Sequence, residues 1–196
     1  MSSSLFAARR WRRRNPFFQL TKTLCARRER STDAPPKQND PRILVVKSNL
    51  AERYSALERY EEATALEREV YARKKVLLDP TEDDIFISGL NLAYYLYKQK
   101  LYGEARALMR KLIPQCRRAL GTDHDLTLAL QENYAEILFA PQNASRKDQR
   151  EAVAVIADAT KARRRIFGSK HPYTMNALET QESANMRLED FDAPPS

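Results

Sequence analysis

Apolar and polar positions along this chain repeat with a long period. The word Asn49-Leu50-Ala51 returns as Asn91-Leu92-Ala93 and again as Asn133-Tyr134-Ala135, each 42 residues after the last. Tyr54, Leu96 and Leu138 stand five positions after the Asn, and Tyr60 and Tyr102 stand eleven after it. Glu62-Ala63 and Glu104-Ala105 come next, followed by Leu66 and Leu108. In the third copy the pair is Glu151-Ala152, five residues late, with Val155 in the place of the Leu. The extra length falls within residues 141–150, rich in Pro, Asn, Ser and charge, which predicts a longer turn there. A fixed period of this size marks stacked supersecondary units.

Within one copy the apolar residues lie three and four apart, on one face of a helix, first around the Asn word and again around the Glu-Ala pair. The small Ala51, Ala93 and Ala135 let a neighbouring helix approach closely. Neither helix can bury its stripe alone, and stacking about three pairs is the usual minimum for stability. Helix ends are marked as well. Gly121 and Gly168 stand where a left-handed terminating residue is needed, Asp79-Pro80 closes the first copy, and Pro41 and Pro172 open first helices. Pro114 is expected to interrupt the second helix of copy two.

The pattern thus predicts an all-α chain, a solenoid of three helical hairpins and a C-terminal capping helix. The repeats span about 40–81, 82–123 and 124–170, and the capping helix 171–188. Residues 1–39 are a basic leader and Pro-containing linker, and 189–196 a frayed tail.

Charge refines this division. The formal net charge is +8, and residues 1–40 carry ten Lys and Arg against Glu29, Asp33 and Asp40. The remaining 156 residues hold 24 basic against 23 acidic side chains, a near-neutral body with no long-range pull on a phosphate backbone. The leader has Ser2 to Ser4, an Arg run at Arg9, Arg10, Arg12, Arg13 and Arg14, and Phe17, Leu20 and Leu24 on one helical face. Acid-poor, Arg-rich and amphipathic is the composition of a mitochondrial transit peptide. A retained arm for nuclear targeting or RNA contact is the second reading, and a plain tail the third. No apolar run approaches the roughly 18 to 20 residues needed to span a bilayer, so integral membrane contact is not expected. Cys25 and Cys116 provide neither a disulfide framework nor metal-ligand spacing.

The run Leu120-Gly121-Thr122-Asp123-His124-Asp125-Leu126-Thr127-Leu128, with Asn133-Tyr134-Ala135 after it, resembles the 42-residue tetratricopeptide repeat of kinesin light chains. Phe167-Gly168-Ser169-Lys170-His171-Pro172-Tyr173-Thr174-Met175 has the same cadence. The likeness covers about residues 40–188. The heptad-rich segment that precedes the repeats of a kinesin light chain is not seen in residues 1–40. Such repeats line a concave groove with their first helices, and the resemblance therefore implies a non-catalytic adaptor that takes a peptide or helix of another protein. By the same resemblance Asn49, Asn91 and Asn133 face the groove, together with Glu52, Tyr94, Lys98 and Glu136. An amide that donates and accepts can pair with an extended backbone. The competing reading is that the three Asn satisfy helix ends.

Arg73-Lys74-Lys75, Arg117-Arg118 and Arg163-Arg164-Arg165 recur near the ends of second helices, where they complement the helix dipole and solvate a convex face. RNA is a secondary partner for that face. His124 and His171 occupy equivalent turns without further ligands or a nucleophile at a recognisable spacing, so they read as capping residues. Neither a catalytic, metal nor cofactor site is expected. Three settings follow: a mitochondrial assembly or maturation factor, a cytosolic or nuclear adaptor of kinesin-light-chain type, and an RNA-associated subunit of an organellar complex.

Overall fold

Ala51, Ala93 and Ala135 have no exposed surface, and neither have Ala63, Ala105 and Ala152 of the Glu-Ala pairs. These small residues fix where successive helices touch. The computed structural model describes residues 41–140 and 144–192, and the transit-peptide and linker readings of the leader lie outside them. Seven helices are described: α1 (Pro41–Ala56), α2 (Tyr60–Leu77), α3 (Asp83–Lys98), α4 (Tyr102–Leu120), α5 (Asp125–Phe139), α6 (Arg146–Phe167) and α7 (Pro172–Asp192). The chain divides into two compact units, 1–46 and 47–196. Of the first, only the opening turns of α1 are described.

In the second unit each helix packs on the next, from α2 through α7, and the first helices α3, α5 and α7 also touch one another in series. Ala51 of α1, Ala63 of α2 and Tyr95 of α3 form one cluster, with Tyr54, Leu66 and Tyr94 packed against it. The second helices bury a stripe at intervals of four, three and four residues: Ala63, Glu67, Val70 and Lys74 on α2; Ala105, Met109, Leu112 and Cys116 on α4; Ala152, Ile156, Ala159 and Arg163 on α6. Leu66 and Leu108 lie beside this stripe and are half-buried.

The ends behave as their residues require. Gly121 and Gly168 take φ of 98° and 81°, which only glycine adopts cheaply, and their N–H groups bond to Arg117 O and Arg164 O. The hairpin turns of the first two repeats place Glu58 and Lys100 at equivalent positions with φ of 61° and 63°. α4 passes through Pro114 as one helix. The proline ring removes the bond to Arg110 O, but it sits on the exposed face, where water can satisfy that carbonyl. In the third repeat α5 ends at Phe139 and α6 begins at Arg146, three residues before the position equivalent to Tyr60 and Tyr102. Part of the added length therefore goes into the helix itself. Ser145 caps it, accepting from Asp148 N, while the Asp148 carboxylate accepts from Ser145 N. α7 runs to Asp192, past Leu188, because no Pro or Gly interrupts residues 189–192.

Ion pairs tie consecutive second helices together. Arg68 Nη2 of α2 donates to Glu104 Oε2 of α4 at 2.9 Å, and Arg110 Nη2 of α4 donates to Glu151 Oε2 of α6 at 2.8 Å. Arg68 and Arg110 are equivalent positions, as are Glu104 and Glu151, the Glu of each Glu-Ala pair. The second rung also holds Tyr134 of α5, whose hydroxyl accepts from Arg110 at 2.7 Å and donates to Glu151 at 2.5 Å.

Candidate functional site on the first helices

Of the three repeated asparagines, Asn49 is exposed on α1, while Asn91 on α3 and Asn133 on α5 are half-buried. Asn133 Nδ2 donates to Ala129 O of its own helix at 2.8 Å. One of its amide donors is therefore engaged within α5, where it steadies the helix instead of facing outward. Glu52 and Glu136 are half-buried at the next turn of α1 and α5.

Tyr94 and Lys98 come together. The Lys98 ammonium lies 5.8 Å from the Tyr94 ring centroid and 5.6 Å from that of Tyr60 on α2, two cation–π contacts that hold the long side chain across the junction of the first and second repeats. Tyr94 also packs edge-on against Tyr95, 5.8 Å between centroids. The junction of the first two repeats thus offers a half-buried patch of two aromatic rings and one positive charge. The third repeat has Glu136 and Ala140 at the positions equivalent to Tyr94 and Lys98, with neither ring nor cation. Further along, Tyr97 lies 5.9 Å from Tyr102, and its hydroxyl pKa is raised by burial first and then by the nearby charge of Glu136. Arg187 of α7 donates to Phe139 O at 2.8 Å and its guanidinium sits 5.9 Å from the Phe139 ring, closing the end of α5. The Asn register does not single out Tyr60, Tyr97 or Arg187 as site residues. The aromatic density of Tyr94-Tyr95-Leu96-Tyr97 is the signal that could have found this patch.

The basic residues of the second helices divide in two. Lys74 is buried and donates to Asp84 O of α3 at 3.3 Å. Arg163 is only 1 % exposed; its Nε donates to Glu132 Oε1 at 2.6 Å and its Nη1 to Asp125. Its guanidinium also lies 5.1 Å from the Tyr173 ring. Burial works to lower the Arg163 pKa, but Glu132 and Asp125 outweigh it and raise it, so the charge stays. These two residues do not solvate a convex face as their neighbours in sequence suggested. They occupy the register position of Cys116 and serve the core. Arg117, Arg118, Arg164 and Arg165 are exposed, and Arg165 pairs with Asp123.

His124 caps α5, its Nδ1 accepting from Leu126 N at 3.3 Å, and His171 accepts from Tyr173 N at the same distance. Burial pushes the Cys116 thiol up to about 11, and it contacts Thr127 Oγ1 at 3.3 Å within the core. Among the described residues no group of three or more His, Cys, Asp or Glu could hold a metal ion, and no helix is long and apolar enough to cross a membrane.

The tetratricopeptide repeat family model matches residues 44–83 and 88–125. No curated protein sequence matches the chain. The nearly identical TPR-like repeats assigned to a kinesin light chain of Podosopora anserina are 20 % identical, with 88 % of this chain and 79 % of that one covered and a TM-score of 0.64. A point variant of those repeats is also 20 % identical, with 94 % and 85 % covered and a TM-score of 0.65. BtubC (BKLC) from P. vanneervenii is 10 % identical, with 84 % and 71 % covered and a TM-score of 0.52. At these identities the likeness is one of fold.

Proposed function

We propose that this chain, which matches the tetratricopeptide repeat model over residues 44–83 and 88–125 and shares its fold with kinesin-light-chain TPR-like repeats, is a non-catalytic adaptor whose first helices take up a peptide or helix of another protein. The observation that carries this reading is the Tyr60, Tyr94 and Lys98 patch, adjoining Asn91 on the same helix. A cation held over aromatic rings is already partly ordered, so a bound carboxylate would meet a charge that loses little further entropy. Asn91 can add one donor and one acceptor for an extended backbone.

The test begins with a peptide-display selection on the full chain, followed by calorimetry of a selected peptide. Asn91→Ala and Lys98→Ala should each weaken binding by about tenfold while leaving the helical circular dichroism unchanged, about 1.4 kcal/mol per contact. Selected peptides that bind both variants as tightly as the parent chain would remove this face from the mechanism.

The leader supports a mitochondrial setting, with the protein acting there as an assembly or maturation factor. Sequencing the amino terminus of the endogenous protein tests it. A new terminus between about residues 30 and 40 is expected, and an intact leader would favour the cytosolic or nuclear setting. The RNA reading is weaker, since Lys74 and Arg163 are spent within the core. Salt-dependent RNA affinity of the full chain would restore it.

A further inference from the structure

Glu67 on α2 is 0 % exposed. Its equivalents are Met109 on α4 and Ile156 on α6, both fully buried, so an acid stands where the other two repeats carry apolar side chains. Ser48 Oγ of α1 donates to its Oε2 at 2.9 Å, and Ser88 Oγ of α3 donates to its Oε1. One carboxyl therefore pins three helices. We propose that the junction between the first and second repeats is a proton-operated latch, closed while Glu67 holds its proton and loosened when the carboxyl ionises.

The groups around Glu67 set the sense of the device. From α1 come the neutral Ser48 and the negative charge of Glu52; from α3 comes the neutral Ser88; on α2 itself Lys74 supplies the positive charge that reaches it. The Lys74 ammonium is directed to Asp84 O, and Glu67 receives its hydrogen bonds from neutral hydroxyls. A buried carboxylate with such partners recovers only part of its lost hydration. Burial accordingly raises the Glu67 pKa, against the bonds from Ser88 and Ser48 and the charge of Lys74. A carboxyl raised on folding adds stability below its ordinary value of 4.5 and loses it as the pH climbs through the folded value. Acid tightens the junction and base loosens it, opposite to the behaviour of an ordinary salt-bridged carboxylate.

The experiment is amide hydrogen exchange of the full chain at several values between about pH 5 and pH 8, corrected for intrinsic exchange chemistry, so that what remains is the opening equilibrium. In the parent protein the opening of α2 and the first half of α3 should rise with pH, by up to about tenfold per unit between 4.5 and the Glu67 midpoint, and level off above it. Glu67→Gln keeps the shape and, like the protonated acid, accepts from one serine and donates to the other, but it cannot ionise and should flatten the profile. Glu67→Met, the residue found at the equivalent position 109, should flatten it too. A parent profile that is level, or a Glu67→Gln profile as steep as the parent's, would overturn the proposal. Should both variants fail to fold, the carboxyl carbon of Glu67 can be titrated by NMR in the parent chain. A midpoint above 4.5 supports the latch, and one at or below that value ends it.

Discussion

The first and third repeats bury ionisable side chains on the same stripe of their second helices, and they do so by opposite means. Glu67 meets two hydroxyls, with the Lys74 ammonium directed to Asp84 O. Arg163 meets two carboxylates, Asp125 and Glu132, and an aromatic ring. The inward guanidinium keeps its charge, whereas the inward acid with neutral partners keeps or loses its proton according to pH. The middle repeat, with Met109 and Cys116 at these two positions, needs neither device. A repeat fold thus keeps its geometry while the chemistry of its junctions is varied one position at a time.

Removing Arg163 should break the contrast most severely. Arg163→Ala leaves Asp125 and Glu132 without the cation they share, and a loss of about 3–5 kcal/mol is expected from chemical denaturation. The double change Glu67→Met with Ser88→Ala should move the other way, gaining about 1–2 kcal/mol near neutral pH by making the first junction apolar like the second. Ser145→Ala removes the capping box of α6 and should cost about 1 kcal/mol, seen as faster exchange in the first turn of that helix.

Acid sharpens the comparison further. Burial works to raise the Asp148 pKa, but bonds from Ser145 and Arg106 outweigh it and hold the carboxyl below its ordinary value. Its contribution is therefore present above the unfolded pKa and lost as the pH falls through the folded one. Amide exchange on lowering the pH should show the α6 cap weakening while the α2–α3 junction firms. The smallest effect belongs to Arg68→Ala at an exposed rung, about 0.5 kcal/mol or less by denaturation. Arg110→Ala should cost more, because its rung also secures Tyr134, whose hydroxyl is pushed up to about 12 mainly by burial.

The helical hairpins were legible because small Ala and a repeated Asn recur at fixed distances, and close packing of helices leaves a strict record of that kind. The caps were legible from Gly121, Gly168, His124 and His171. What stayed hidden is instructive. A search for apolar stripes treats Glu67, Lys74 and Arg163 as surface, since nothing in one charged residue announces that Ser48 and Ser88, or Asp125 and Glu132, will surround it. The Asn register pointed to Asn133, but whether an amide turns to solvent or to its own helix, as Asn133 does toward Ala129 O, depends on a rotamer that spacing does not encode. The pairing of Lys98 with Tyr60 joins residues far apart in sequence and needed the packing of α2 on α3 to be known.

The rungs between second helices link α2, α4 and α6. Glu62, first of its series, is held by Arg59 of its own hairpin, at 2.6 Å from Nη2. At the other end, Ala157 stands where Arg68 and Arg110 stand in the earlier copies. A duplicated unit inserted between existing ones would find both halves of a rung waiting. The rungs let the array lengthen from within.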